Sequence, residues 1–81
     1  MTSAEQEALL KRITQNPGIF SGKPIIRGMR FPVADILEML SSGMLNEEIL
    51  EQHPTLEEED IRAALLFAAF RVNNKAHINA A

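Results

Sequence analysis

Residues 22–33 restrict the fold of this chain more than any other part of its sequence. β-Branched and aromatic side chains lie on both sides of Gly28, and prolines stand near each end, at Pro24 and Pro32. Glycine accepts the positive φ of a tight turn, whereas proline is confined to the edges and ends of strands. The segment therefore predicts a small β-hairpin, in which Gly22, Pro24, Gly28 and Pro32 are the structural turn residues.

Three helical segments are predicted after the hairpin. Residues 33–40 carry apolar side chains at helical spacing, and Gly43 ends this helix as a C-cap. Residues 46–52 form a shorter segment, which a proline at position 54 stops. A third segment begins where Thr55 and Glu58 have capping-box spacing, and it ends near residue 72. Four consecutive acids, residues 57–60, lie at its start, where the helix dipole stabilises anions.

The residues before the hairpin predict a short helix and a strand. Ser3 and Gln6 have capping-box spacing, which predicts a helix over residues 4–11, and Ile13 begins a β-prone stretch that runs into a turn. The expected fold is mainly α: a small β-hairpin followed by a three-helix, helix-turn-helix-like bundle, with a short N-terminal helix. Residues 1–11 are the N-terminal helix or arm, residues 12–72 the hairpin and three-helix domain, and residues 73–81 a flexible tail.

Composition excludes several classes of protein. A chain of 81 residues is too short for more than one core, and without cysteine it has neither disulfides nor thiolate ligands, which favours a reducing compartment. The longest apolar run, residues 63–70, is too short to span a bilayer, so we expect a cytoplasmic protein without a membrane partner. His53 and His77 lack the spacing of paired ligands, and no metal or cofactor is expected.

No catalytic group is predicted. Residues 18–24 resemble a phosphate-binding loop only loosely, because Pro24 stands where a hydroxyl should bind the metal. Asp35 and Glu38 lie one helical turn apart, but nothing nearby in the sequence supplies a nucleophile or a pocket that would tune them, and a solvated face is the simpler interpretation. We therefore expect a protein that is not an enzyme.

Charge is segregated along the chain, which has a net charge of -3. Residues 11–30 contain cations and no acid, while the acids cluster in the remaining segments. Lys23, Arg27 and Arg30 in the hairpin could contact phosphate or nucleic acid. They could instead pair with the acidic helices of the same fold, which is the alternative that we favour.

The third helix has apolar residues on two faces. At about 100° per residue, one stripe is expected to serve the core, and the opposite stripe must also be covered. A docked N-terminal helix and an interface with a partner are both open as its cover. The core stripe contains Ile61, Ala64, Leu65, Ala68 and Val72, and the second contains Ala63, Leu66, Phe67 and Phe70. Of the second stripe, Leu66, Phe67 and Phe70 are the candidate partner-binding residues.

Several of these motifs together resemble a known family. Gly22-Lys23-Pro24, the Gly-x-Arg-x-Pro-Val pattern of residues 28–33 and the Asp-Ile-Arg-Ala-Ala-Leu run of residues 60–65 resemble the bacterial domain of unknown function 433 family, over roughly residues 12–70. The resemblance implies a helix-turn-helix-like or homeodomain-like fold, and an antitoxin role against a PIN-like ribonuclease toxin. Met29 and Glu57 depart from the pattern, since threonine is usual at the first and common at the second.

Two functions are therefore expected, in order. The first is a small protein-binding module, the antitoxin of a toxin-antitoxin pair, which masks a PIN-like ribonuclease toxin and forms a homodimer. The alternative is a DNA-binding transcriptional repressor that contacts operator DNA through the basic hairpin and regulates its own operon.

Overall fold

A computed structural model of the chain describes the backbone of residues 1–79 and the side chains of residues 1–73. The elements follow in the order α1 (Ser3–Leu10), β1 (Ile13–Thr14), β2 (Ile25–Ile26), α2 (Val33–Ser41), α3 (Asn46–Gln52) and α4 (Glu58–Asn79), with a 3₁₀ turn at Phe20–Gly22 before β2. The predicted fold, mainly α with a small hairpin and a helical bundle, is confirmed.

The antiparallel sheet is smaller than the hairpin pattern suggests. β1 pairs with β2, so that Ile13 lies opposite Ile26 and Thr14 opposite Ile25. The second arm of the predicted hairpin adds a single bridge, between Ile25 and Pro32. The bridge is closed by the N–H of Ile26, which donates to the carbonyl of Phe31, and by the N–H of Val33, which donates to the carbonyl of Pro24. The chain then turns into α2, which begins at Val33.

Local signals set most helix ends. α1 starts one residue before its predicted capping box, because Thr2 and Glu5 form the reciprocal pair in place of Ser3 and Gln6. α2 ends in a Schellman motif, in which the N–H of Gly43 donates to Leu40 and that of Met44 donates to Met39. Gly43 has a φ of 95°, as the prediction of a glycine C-cap requires.

α4 differs from its prediction at both ends. Its first turn is capped by Asp60, whose carboxylate accepts the N–H of Glu57 at 2.8 Å, instead of by the predicted pair of Thr55 and Glu58. The helix extends to Asn79, beyond the predicted end near residue 72. The predicted flexible tail, residues 73–81, lies outside the residues whose side chains the structure describes, apart from residue 73.

α4 is the central element, and it packs against α1, α2, α3 and β1. The core is formed by Ile26, Val33, Ile36, Ile49, Leu56, Ile61 and Ala64. Two members of the predicted core stripe are misplaced, since Leu65 is 48% exposed and Val72 is 64% exposed. The side chains of residues 69–73 are all exposed, because this part of α4 extends past the core.

Within residues 1–79, none of the helices combines the length and apolar composition needed to cross a membrane.

Candidate partner-binding surface

A buried carboxylate joins the hairpin to the start of α4. Asp60 is fully buried, and its carboxylate accepts hydrogen bonds from Arg12 Nη1 at 3.0 Å and from Arg27 Nε and Nη2 at 3.1 and 2.9 Å. The backbone N–H of Glu57 is a further donor. Burying a charge is costly unless it is paired and hydrogen-bonded, and these donors meet that requirement.

The electrostatics of Asp60 follow from this geometry. Burial alone would raise the pKa of Asp60, but hydrogen bonds from Arg27, the Glu57 N–H and Arg12 outweigh it and hold the pKa below its ordinary value. The hydrogen bond to Asp60 raises the pKa of the Arg27 guanidinium. The pKa of the Arg12 guanidinium is raised mainly by its hydrogen bond to the Glu57 carboxylate at 2.7 Å, and then by its bond to Asp60. The carboxylate of Asp60 therefore stays ionised at neutral pH.

The backbone places Arg27 for this contact. Arg27 has a φ of 45° and Gly28 a φ of 71°, in a turn that the N–H of Met29 closes on the carbonyl of Ile26. A positive φ is unfavourable for an arginine, so the ion pair must offset some strain. Arg27 also donates through Nη2 to the carbonyl of Thr55, just before α4. The tight turn is thus fastened to the beginning of α4.

Of the three predicted hairpin cations, one pairs with an acid of the same fold and two are exposed. The guanidinium of Arg27 is held by Asp60, as in the alternative of internal pairing that we favoured, whereas Lys23 and Arg30 are exposed and form no ion pair within residues 1–73. Of the cations in residues 11–30, Arg12 is also used internally. Fewer positive charges therefore face solvent than the sequence suggested.

The turn prolines Pro24 and Pro32 line an apolar groove between α2 and α4. Gly22 has a φ of 83° and follows Phe20 and Ser21, which also have positive φ, and this turn presents Lys23 and Pro24. The groove has a volume of about 270 Å³, and Lys23 and Arg71 lie on it. The guanidinium of Arg71 lies 5.1 Å from the ring centre of Phe67. The apolar lining is formed by Pro24, Pro32, Val33, Ala34, Leu37, Phe67, Ala68 and Val72.

The candidate partner-binding residues do not share one surface. Phe67 packs against the core and lines the groove, whereas Leu66 is half-buried and Phe70 is 41% exposed, and neither lines the groove. α1 packs against α4 and buries Leu9, so the docked N-terminal helix that we considered is present. It leaves apolar surface uncovered on the part of α4 that extends past the core.

A second cleft, of about 580 Å³, contains the carboxylates that were considered as an acid/base pair. Asp35 and Glu38 line it with Arg30 and His53, and both carboxylates are exposed, as the interpretation of a solvated face predicts. His53 contacts Phe31 edge to face at 5.0 Å. No group of acids and histidines in the described part of the chain is arranged to hold a metal ion.

Sequence reasoning missed Asp60 and Arg12. Asp60 was treated as one of four acids that the helix dipole stabilises, although it lies three and four residues before Ala63 and Ala64, on the face that α4 buries. That spacing was the available signal. Arg12 gave no comparable signal, because its partners Glu57 and Asp60 are distant in the chain.

Comparisons with known proteins agree with the motifs. A family model described as "Protein of unknown function (DUF433)" matches residues 13–68. The uncharacterized protein y4eO of Sinorhizobium fredii (strain NBRC 101917 / NGR234) is 39% identical over 56 residues, which cover 69% of this chain and 25% of that protein. The matched segment thus spans about a quarter of the length of this curated relative.

A solved structure has a similar fold. The crystal structure of a DUF433 member protein from Anabaena variabilis ATCC 29413 has a TM-score of 0.71 and 23% sequence identity to this chain. The similarity covers 100% of this chain and 87% of that one, which shows a common fold.

Proposed function

The chain belongs to the family described as Protein of unknown function (DUF433), and on that premise we propose that it is a protein-binding module, the antitoxin of a toxin-antitoxin pair. In this proposal it masks a PIN-like ribonuclease toxin in the cytoplasm and acts by binding, without a catalytic reaction of its own. The observation that carries the proposal is the uncovered apolar surface on the C-terminal part of α4.

Exposed apolar side chains lie on two sides of this part of α4, with Phe70 away from the groove and Val72 on it. Phe70 and Val72 are 41% and 64% exposed, Leu65 is 48% exposed, and the apolar groove lies beside Val72. Burial of a large apolar side chain stabilises by roughly 1.5 to 3 kcal/mol. A partner that covers several of them therefore gains substantial binding energy, and exposed apolar patches are typical of interaction sites.

The acidic surface supports a basic partner. Exposed glutamates lie at the starts of α3 and α4, including Glu47, Glu48, Glu58 and Glu59. A ribonuclease binds RNA through positive charge, and a surface of opposite sign accelerates encounter and favours the correct orientation. The acidic helix starts would therefore compete with RNA for the nuclease.

The charge placement favours a protein partner over operator DNA. A helix that enters the major groove needs cations near its start, but α4 begins with Glu58, Glu59 and Asp60. In the hairpin, Arg27 is bound to Asp60, which reduces the positive charge available for phosphates. The repressor alternative thus loses part of its motivation.

Co-purification with the product of the adjacent gene tests the proposal. We expect the two proteins to form a complex and the chain to inhibit ribonuclease activity and to restore growth. Val72→Gln should weaken the complex about tenfold, because it removes burial of one branched side chain. Leu45→Gln is the matched control, since Leu45 is 63% exposed and Val72 is 64% exposed. If neither association nor rescue of growth is found, the antitoxin proposal is wrong.

A further inference from the structure

Among the described residues, the charged side chains that line the apolar groove between α2 and α4 are all cations. Lys23 and Arg71 line it, and no carboxylate of the described residues does. Two other clefts among the described residues contain acids, Asp35 and Glu38 in one and Glu5 and Glu59 in the other. The chain as a whole has 11 acids and 8 lysines and arginines, so a cleft with cations only departs from its general character.

The surrounding structure holds the guanidinium of Arg71 and the backbone of Lys23. Arg71 stacks on Phe67 at 5.1 Å, which directs its guanidinium along the wall of the groove and leaves its N–H groups able to donate. Lys23 follows the 3₁₀ turn, where its N–H donates to Phe20 and where Gln15 Nε2 donates to the carbonyl of Gly22. The positions from which the two cations extend are therefore fixed.

The size and lining of the groove indicate the kind of occupant. Its volume of about 270 Å³ lies below the roughly 300 to 1,000 Å³ that drug-sized ligands occupy. Apart from the two cations, the lining side chains are apolar, so a small polar ligand would find few hydrogen-bond partners. The space suits one or two apolar side chains of a protein.

We propose that this groove binds an acidic segment of the partner protein. One large apolar side chain inserts between Pro24, Leu37 and Ala68, and carboxylates that flank it in the partner's sequence pair with Lys23 and Arg71. The inference rests on the proposed function, since it specifies which kind of segment the bound protein presents. Apolar contact supplies most of the affinity, and the cations select the sign of the flanking charges.

Two other occupants fit the groove less well. Single-stranded nucleic acid typically stacks its bases on aromatic faces, but the ring of Phe67 already carries the guanidinium of Arg71. A second copy of this chain could offer its exposed Leu45, beside Glu47 and Glu48. That contact joins unlike surfaces, so it closes only if two copies insert into each other at once or if several copies form a ring, and otherwise it propagates head to tail.

A pair of synthetic helical peptides tests the inference without the toxin. Both contain one central leucine, which is flanked by glutamates in the first peptide and by lysines in the second. We expect the acidic peptide to bind the full chain about tenfold more tightly at low salt, because two rim pairs change sign. In the isotopically labelled protein, the amide chemical shifts of residues around the groove should change when the peptide binds. An acidic peptide with glutamine in place of leucine should lose most of its binding.

Variants of the groove make the test specific. The double variant Lys23→Glu with Arg71→Glu should reverse the preference and bind the lysine peptide more tightly. Arg30→Glu with Arg62→Glu is the matched control, because both cations are exposed outside the groove, and it should keep the preference for the acidic peptide. Ala34→Phe should abolish binding by filling the groove from an exposed position, without a change in charge.

Several results would overturn the inference. Equal binding of the two peptides, or a preference that survives the double rim reversal, would exclude selection by the cations. An oligothymidylate that binds more tightly than the acidic peptide and displaces it would identify a nucleic-acid site. Self-association of the chain that the rim reversal abolishes would identify a second copy as the occupant. If these results are found while the adjacent gene product still binds, the proposed function stands and the assignment of the groove fails.

Discussion

The guanidinium of Arg27 forms a two-pronged ion pair with the buried carboxylate of Asp60, through Nε at 3.1 Å and Nη2 at 2.9 Å. The pair joins a tight turn whose arginine has a φ of 45° to the first turn of the central helix. Bidentate pairing fixes orientation as well as distance. The hairpin and α4 are therefore held in one relative position. This also fixes Pro24 and Pro32 relative to the residues of α4 that line the groove.

Removing the charge of Asp60 should destabilise the fold strongly. Asp60→Asn leaves two guanidinium groups facing a neutral amide, and we expect the free energy of unfolding to fall by about 2 to 4 kcal/mol. Urea unfolding followed by circular dichroism measures the change. Asp35→Asn is the control, because Asp35 is exposed in the first turn of α2, and it should change stability by less than about 1 kcal/mol. Equal effects of the two variants would contradict the role given to Asp60.

Stability should fall in acid because of the same carboxylate. The pKa of Asp60 is lowered in the folded chain, so the unfolded chain binds a proton first as the pH decreases. The stabilisation is present above the unfolded pKa of about 3.9 and is lost as the pH falls through the lower folded pKa. Urea unfolding from pH 7 to below pH 3 should therefore show a difference between wild type and Asp60→Asn that is constant above the unfolded pKa and narrows as the pH falls below it. A constant difference would exclude this linkage.

Arg27 should be irreplaceable by lysine. Arg27→Lys keeps the charge but cannot make the two-pronged contact with Asp60, and we expect a loss of roughly 1 to 2 kcal/mol in the free energy of unfolding. Arg30→Lys should have almost no effect, because Arg30 is exposed and forms no ion pair among the described residues. Thermal unfolding of both variants measures this. If Arg27→Lys leaves the free energy of unfolding unchanged, Arg27 is again a candidate for contact with phosphate or nucleic acid.

Gly28 should resist substitution for conformational reasons alone. Its φ is 71°, and a Cβ at this position would meet nothing within 4 Å, so the cost of Gly28→Ala is that of the left-handed backbone, about 1 to 2 kcal/mol. Gly18→Ala is the control, since Gly18 lacks a positive φ and the new Cβ would make an ordinary contact. It should be neutral or slightly stabilising. Similar losses for both variants would exclude the conformational explanation.

The homodimer expected from the sequence can be tested at Phe70, which lies on α4 away from the groove. We expect the chain to sediment as a dimer, and Phe70→Glu to give a folded monomer, because Phe70 is 41% exposed and its replacement leaves the core intact. Circular dichroism checks folding, and sedimentation velocity measures mass. Leu45→Glu should remain dimeric as the control. A wild-type monomer at the highest concentration measured would remove self-association from the proposal.

Helix positions could be predicted where the signal is local. Pro32 and Gly43 bracket α2, because a fixed φ before a helix and a left-handed residue after it are properties of single residues. The capping box of α1 was misplaced by one residue, since Thr2 with Glu5 and Ser3 with Gln6 satisfy the same chemical pattern. Sequence alone does not rank two equivalent boxes.

Long-range features could not be predicted in the same way. The burial of Asp60 depends on Arg12 and Arg27, which lie far away in the chain and reach it only once the hairpin has folded against α4. Periodicity identified the apolar faces of the last helix, but it does not tell where along the helix the core ends. Leu65 and Val72 were therefore assigned to the interior, although both are largely exposed.

The bridge between Ile25 and Pro32 has a consequence for how this molecule behaves in crowded solution. β2 has neighbours on both sides, and the outermost residue on one of them offers no N–H to an incoming chain. Growth by strand addition, the usual route from a small sheet to a fibril, is blocked at that margin. Any contact at this margin therefore depends on side chains and not on hydrogen bonds to the peptide backbone.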